Sequence, residues 1–193
     1  MQTKYWIFGI IGLLALYIIG GINSIPTLDE KVAANWAQVE NQYQRRADLV
    51  PNLVNTVKGY AAHEKTTFDD VTNARTNATK VTINAGDLND PAAIARFEQA
   101  QGALSSSLSR LIAVSENYPD LKASENFRDL QSQLEGTENR ISVARRDYIE
   151  AVQKYNTNIR TFPGLIWARI FGAQLKQSFS ATEGADKPPT VNF

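Results

Sequence analysis

Val32, Trp36, Val39, Tyr43, Val50, Leu53, Val57 and Tyr60 recur at steps of three and four, with Arg46 at the position between Tyr43 and Val50. Such steps put side chains on one face of a helix, and a period near 3.5 favours antiparallel or coiled-coil packing. The same phase runs on through Glu64, Phe68, Val71, Arg75 and Ala78. Read as one element, the stripe covers about fifty residues, a rod of roughly 75 Å at ~1.5 Å per residue. "NAGDLNDP" then breaks it, with Asp90 placed to cap the next helix and Pro91 at its first position.

A second stripe follows at Ile94, Phe97, Gln101, Leu104, Leu108, Leu111, Ser115 and Tyr118, and stops at Pro119. The third starts near Ser124 and reads Phe127, Leu130, Leu134, Thr137, Ile141, Ala144, Tyr148, Val152, Tyr155, Ile159 and Phe162 before "FPG". Beyond Pro163, "LIWARIFGAQLKQSF" offers a short amphipathic fourth helix, and "ATEGADKPPTVNF" reads as an extended tail. Alternation of period two is sustained nowhere. Long helices on short connections bury their stripes only side by side. The expected fold is therefore all-α: an elongated antiparallel up-and-down bundle of three long helices plus a short fourth over residues 26–180, followed by a tail over 181–193. Tyr43, Tyr60, Tyr148 and Tyr155, at stripe positions, read as core residues with hydroxyls at the edge.

Ahead of the bundle, Tyr5 to Ile22 carries no charge, and with Asn23, Ser24 and Ile25 it approaches the ~20 residues that span a ~30 Å hydrocarbon core. Residues 5–25 are expected to be a transmembrane anchor behind a short flank at 1–4, with Tyr5, Trp6 and Tyr17 suited to the interfacial aromatic belt. A cleaved signal peptide is the competing reading. The apolar run exceeds the usual ~7–15 residues of such a segment and lacks an A-x-A site. Lys4 before the span, against Lys31 as the first basic residue after it, favours the N-terminus inside and the body outside the cytoplasm.

Pro51 falls inside the first stripe. If it began a new helix, Val50 would be the N-cap, a role valine fills poorly. The stripe crosses it without a phase slip, so the helix is expected to continue with a kink, losing the bond to the Ala47 carbonyl at about 3 kcal/mol or more. Asn52, Asn55, Gly59 and His63 form a polar stripe beside the apolar one. It reads as a ligand or partner face, or as asparagines bonding backbone groups loosened by the kink. Arg46, set in the apolar stripe, requires a carboxylate from a neighbouring helix, with Glu135 and Glu138 as candidates.

Twenty basic and twenty acidic residues cancel, leaving no field to draw the chain to a phosphate backbone, so nucleic acid is not an expected partner. With no cysteine, thiol chemistry and cysteine-based zinc sites are excluded. His63 is the only histidine. A ferritin-like site would need Glu-x-x-His twice, yet position 60 is Tyr, and the second histidine of H-E-x-x-H is Thr67. Neither a metal, a cofactor nor a catalytic set is expected.

"RADLVPNLVNTVKGYAAHE", then "LSRLIAVSENYPDLKASENFRDLQSQLEGTENRISVARRDYIEAVQKYNTNIRTFP", then "PPTVNF" at the end, resemble the LemA family of bacterial membrane proteins over nearly the whole chain. The resemblance implies an antiparallel helical bundle behind one transmembrane helix in a bacterial inner membrane, with no established enzymatic activity and no known cofactor. It marks Pro51, Asn52, Asn55, Lys58, Gly59, His63, Glu64, Asn117, Pro119, Glu138, Asn139, Arg140, Tyr155, Asn156, Phe162 and Pro163 as family-motif residues without assigning them a chemical role.

The expected function is that of a non-catalytic, membrane-tethered scaffold or adaptor. It would self-associate or hold an envelope or membrane partner such as a protease, with Leu165, Ile166, Trp167, Ile170, Phe171 and Phe179 either available for lipid or subunit contact or buried within the same bundle. The alternative is a small-ligand receptor or enzyme using Asn52, Asn55 and His63 with Glu138 or Arg145 from the third helix, which would need a cavity where these groups converge.

Overall fold

The computed structural model describes residues 2–180, with the side chains of most residues before Gly20 outside the description. Among the described residues every regular element is helical: α1 (Gln2–Lys58), α2 (Lys65–Lys80), a short 3-10 turn (Ala85–Asp87), α3 (Pro91–Ser115), α4 (Pro119–Ala123), α5 (Glu125–Arg160) and α6 (Gly164–Phe171). The tail at 181–193 lies outside the described residues.

The expected fifty-residue rod is instead a hairpin. α1 ends at Lys58, and the chain turns through residues 59–64 before α2 begins. Lys58 supplies a basic residue to the last turn, and the Gly59 N–H reaches back to the Asn55 and Thr56 carbonyls, so the stop follows ordinary helix-end chemistry. α2 then runs antiparallel to α1. Arg75 Nε donates to the Ala47 carbonyl at 2.7 Å, and the Trp36 indole donates to the Ile83 carbonyl at 3.3 Å, so the partners move apart in opposite directions from the turn. Heptad phase survived the turn because both arms aim their stripes at one core. Tyr60, assigned to that core by its phase, sits in the turn and is 47% exposed.

α3 returns along α2, with Gln101 Nε2 donating to the Ala78 carbonyl. Its start is as expected: Pro91 opens the helix and the Asp90 carboxylate accepts from the Ala92 N–H at 2.9 Å. α4 is a single turn begun by Pro119, and α5 follows Ser124. α5 lies antiparallel along α1, as the Arg46–Glu138 and Ser24–Asn158 contacts place it. The body is thus built on four helices, α1, α2, α3 and α5. The second and third stripes are buried nearly as read, except that Phe162 falls past the end of α5 and is 73% exposed.

The core is divided. One cluster gathers Ile25, Val32, Trp36, Tyr43, Phe97, Tyr148, Tyr155 and Phe179 at the N-terminal end of α1; the other gathers Val50, Leu53, Val57, Phe68, Leu104, Leu121 and Phe127 at the hairpin tip. Trp36 anchors the first, edge-on to Phe97 and Tyr148 at 5.1 Å centroid separations. Between the two clusters lies Arg46, 1% exposed.

The fourth helix is shorter than its pattern. α6 ends at Phe171, where Gly172 takes a left-handed φ of 63°. Residues 173–180 then run as an extended strap over the first core cluster. Of the two readings open for Phe179, lipid or subunit contact and burial in the bundle, the second holds: it is buried against Trp36 and Tyr148. The Phe162–Pro163 peptide is cis, and α6 folds back so tightly that a Cβ at Gly164 would run into the Asn158 carbonyl.

Among the described residues no helix is long and apolar enough to cross a membrane. The run expected to do so, residues 5–25, lies within α1, with most of its side chains outside the description.

Candidate functional site

The sequence-marked residues fall in three places. Pro51, Asn52, Asn55, Lys58, Gly59 and His63 are exposed at or near the hairpin tip. Glu64 there is half-buried and accepts from the Tyr118 hydroxyl at 3.3 Å; desolvation, and then the Glu64 charge and this bond, raise the tyrosine pKa. Lys58 lies over the Phe68 ring at 5.4 Å. Pro51 does not end the helix, as expected. The carbonyl it strands at Ala47 is taken by Arg75 from α2, not by the asparagines.

The second place is the middle of the bundle, where α3 and α5 stand apart and leave an open groove of about 900 Å³. Arg46 forms its floor. Its Nη1 donates to Glu138 at 3.1 Å and to Ser105 at 2.7 Å, while Nη2 donates to the Gln101 carbonyl at 3.1 Å and side-chain oxygen at 2.6 Å. Of the two carboxylates proposed for it, Glu138 is the partner, and Glu135 accepts from Gln131 instead. Arg145 closes the other end, paired with Glu98 at 3.1 Å and stacked on Phe179 at 4.2 Å. The charges of this groove are thus largely paired with one another, and an incoming ligand would have to compete with bonds already made. Asn139 and Arg140 line a separate shallow cleft of about 340 Å³ with Gln38 and Gln42.

The third place is the strap. Asn156 spans its backbone, with Nδ2 donating to the Lys176 carbonyl at 2.8 Å and Oδ1 accepting from the Lys176 N–H at 3.0 Å. The Tyr148 hydroxyl donates to the Gln177 carbonyl at 2.7 Å, and the Gln177 N–H donates to Leu88. Burial pushes the Tyr148 hydroxyl pKa up, and burial with the nearby Asp29 charge does the same for Tyr155. Phe162 and Pro163 form the corner between α5 and α6.

The convergence required for a site at Asn52, Asn55 and His63 is therefore not met. Glu138 and Arg145 face the groove, whereas the other three are exposed near the tip. Among the described residues no three histidines or carboxylates are placed to hold a metal ion. Glu98 and Ser105 carried no signal in the sequence, and Arg75, like Gln101, was visible only as a polar member of an otherwise apolar stripe.

The LemA family model matches residues 35–193, from the first buried stripe through the end of the chain. The chain belongs to the LemA family. This LemA-family protein is also similar to the magnetosome proteins MamQ 1 and MamQ 2 of Paramagnetospirillum magneticum, each 28% identical over 182 residues, covering 86% of this chain and 67% of the relative. The magnetosome protein MamQ of Magnetospirillum gryphiswaldense is 25% identical over 186 residues, with the same coverage. The family match takes in the hairpin tip, the groove and the strap together, so all three belong to the LemA region of the chain.

Proposed function

We propose that this LemA-family protein is a non-catalytic, single-pass scaffold of a bacterial inner membrane, working by self-association or by holding an envelope or membrane partner such as a protease. The observation that carries this reading is the continuity of α1. One 57-residue helix contains both the uncharged run from Tyr5 to Ile22 and the buried stripe from Val32 to Val57. The helix carries the chain from one to the other without a break in secondary structure, with Pro26 between them. The distribution of lysines about the run favours a body outside the cytoplasm. The hairpin tip, with its exposed Asn52, Asn55, Lys58 and His63, lies at the opposite end of α1 from the anchor and is the natural partner face.

Photocrosslinking from position 55 in native membranes, with native mass measurement of the detergent-extracted protein, tests the reading. Crosslinked neighbours or a defined oligomer are expected. A monomer that captures nothing from any tip position would overturn the scaffold role.

A further inference from the structure

α6 leaves several large apolar side chains exposed. Ile170 is 65% exposed, Phe171 50% and Ile166 49%, with Leu165 and the neighbouring Phe162 also exposed. The opposite face of α6 is fully committed: Gly164 and Ala168 are buried, and Trp167 packs on the first core cluster. A surface of this kind on a folded domain marks an interaction site.

Its position names the occupant. The Trp167 indole lies directly on Gly21, where a Cβ would collide with the ring. Gly21 belongs to the last turn of the uncharged run from Tyr5 to Ile22. The α6 patch is therefore level with the end of that run. Eight residues make about 12 Å of helix, far too short to span a bilayer but suited to lying in its surface. Arg169 stands on the exposed face among the apolar residues. At a lipid surface its stem can lie along the acyl boundary while the guanidinium reaches phosphate, whereas a dry protein interface would have to supply a carboxylate. Tryptophan at the level of Trp167 suits the same depth.

We propose that α6 is an interfacial foot, its Leu165, Ile166, Ile170 and Phe171 face seated in the lipid headgroup and upper acyl region beside the point where α1 leaves the membrane. This rests on the anchor reading above. With a bilayer under both α1 and α6, the bundle is held at two adjoining points and its tilt is fixed.

The chain has no cysteine, so a single introduced one reports one site. Full-length Ile170→Cys, Gly12→Cys and Ser109→Cys proteins, each carrying an environment-sensitive fluorophore, would be reconstituted into phosphatidylcholine–phosphatidylglycerol vesicles. Each would be challenged with shallow nitroxide lipids and with a water-soluble quencher. Circular dichroism of each variant checks that the helices are kept. The Ile170 label is expected to be quenched several-fold more by shallow nitroxide lipid than the Ser109 label, and to be shielded from the aqueous quencher. If the Ile170 label behaves like Ser109 while Gly12 is quenched by lipid, the foot is overturned and the anchor stands. If Gly12 is open to the aqueous quencher as well, both fail. If Ile170 is shielded from both quenchers, and becomes water-exposed at one chain per nanodisc, a second copy covers α6 and the lipid assignment is wrong.

Discussion

Arg75 donates its Nε–H to the carbonyl of Ala47, at 2.7 Å, the acceptor that Pro51 leaves without its helical partner. A proline at position 51 has no N–H to offer four residues back. The bond therefore repairs the helix from outside and at the same time fastens α2 to α1. Arg75→Ala should cost about 1–3 kcal/mol by stranding a partly buried carbonyl. In a Pro51→Ala background the residue at 51 regains its N–H, and the same change should cost distinctly less. Denaturant unfolding of the four proteins in this cycle measures the coupling. Additive costs would mean that Arg75 does not act on the proline break.

Arg46 and Glu138 form one ion pair with unequal burial: the arginine side chain is 2% exposed and the glutamate 45%. Removing the arginine abandons the Gln101, Ser105 and Glu138 acceptors and opens a cavity between the two core clusters, so Arg46→Ala should cost about 3–5 kcal/mol. Glu138→Gln keeps an acceptor near the guanidinium, and with solvent screening the pair it should cost about 1 kcal/mol or less. Thermal and denaturant unfolding would show the asymmetry. Equal losses would indicate that the pair itself, and not the seating of Arg46, holds the middle of the bundle.

The stripes and the requirement for a carboxylate at Arg46 were legible because each is a local rule: a helical period, and the expense of an unpaired buried charge. The turn at Gly59–Glu64 was not legible from the stripe. Heptad phase describes which face a residue occupies, and in a hairpin both arms keep the same face toward one core, so phase cannot distinguish a turn from a rod. Lys58 and Gly59 did carry a stop signal, a basic residue in the last turn followed by glycine, but the unbroken phase beyond them outweighed it. The strap was hidden for a different reason. Its extended backbone is fixed by Asn156, Tyr148 and Leu88 on distant elements, and no local preference of residues 173–180 announces those partners. The groove shares that difficulty: Arg145 and Glu98 meet only because α3 and α5 face one another across α1.

Glu40 gives the bundle an unusual response to pH. Burial raises its carboxyl pKa above the ordinary value, and the neighbouring polar groups of Trp36 and the Ile83 backbone offset this only in part. A raised folded-state value means that the native state holds the proton more tightly than the unfolded chain. The associated stability is present below the ordinary carboxylate pKa and is lost as pH rises through the folded value. Glu40→Gln should therefore stabilise the protein at neutral pH, with the gain shrinking as the solution becomes acidic. Unfolding midpoints across that range provide the measurement, and a gain that grows on acidification would contradict the assignment.

Asn156 holds the strap by presenting both an acceptor and a donor to one residue, Lys176, much as a neighbouring strand would. Aspartate at that position keeps the acceptor for the Lys176 N–H but loses the N–H that meets its carbonyl, while alanine loses both. Each bond contributes about 0.5–1.5 kcal/mol, so Asn156→Ala should loosen the strap, and Asn156→Asp, which sets a carboxylate oxygen against the Lys176 carbonyl, should loosen it at least as much. The effect should be local, because Tyr148 still binds Gln177 and Phe179 still has the Trp36 ring beneath it. Hydrogen exchange at the Lys176 and Gln177 amides should accelerate in both variants, with amides in the middle of α5 much less affected. Exchange that rises equally throughout the bundle would mean that Asn156 supports the whole core and that the strap is not an independently released element.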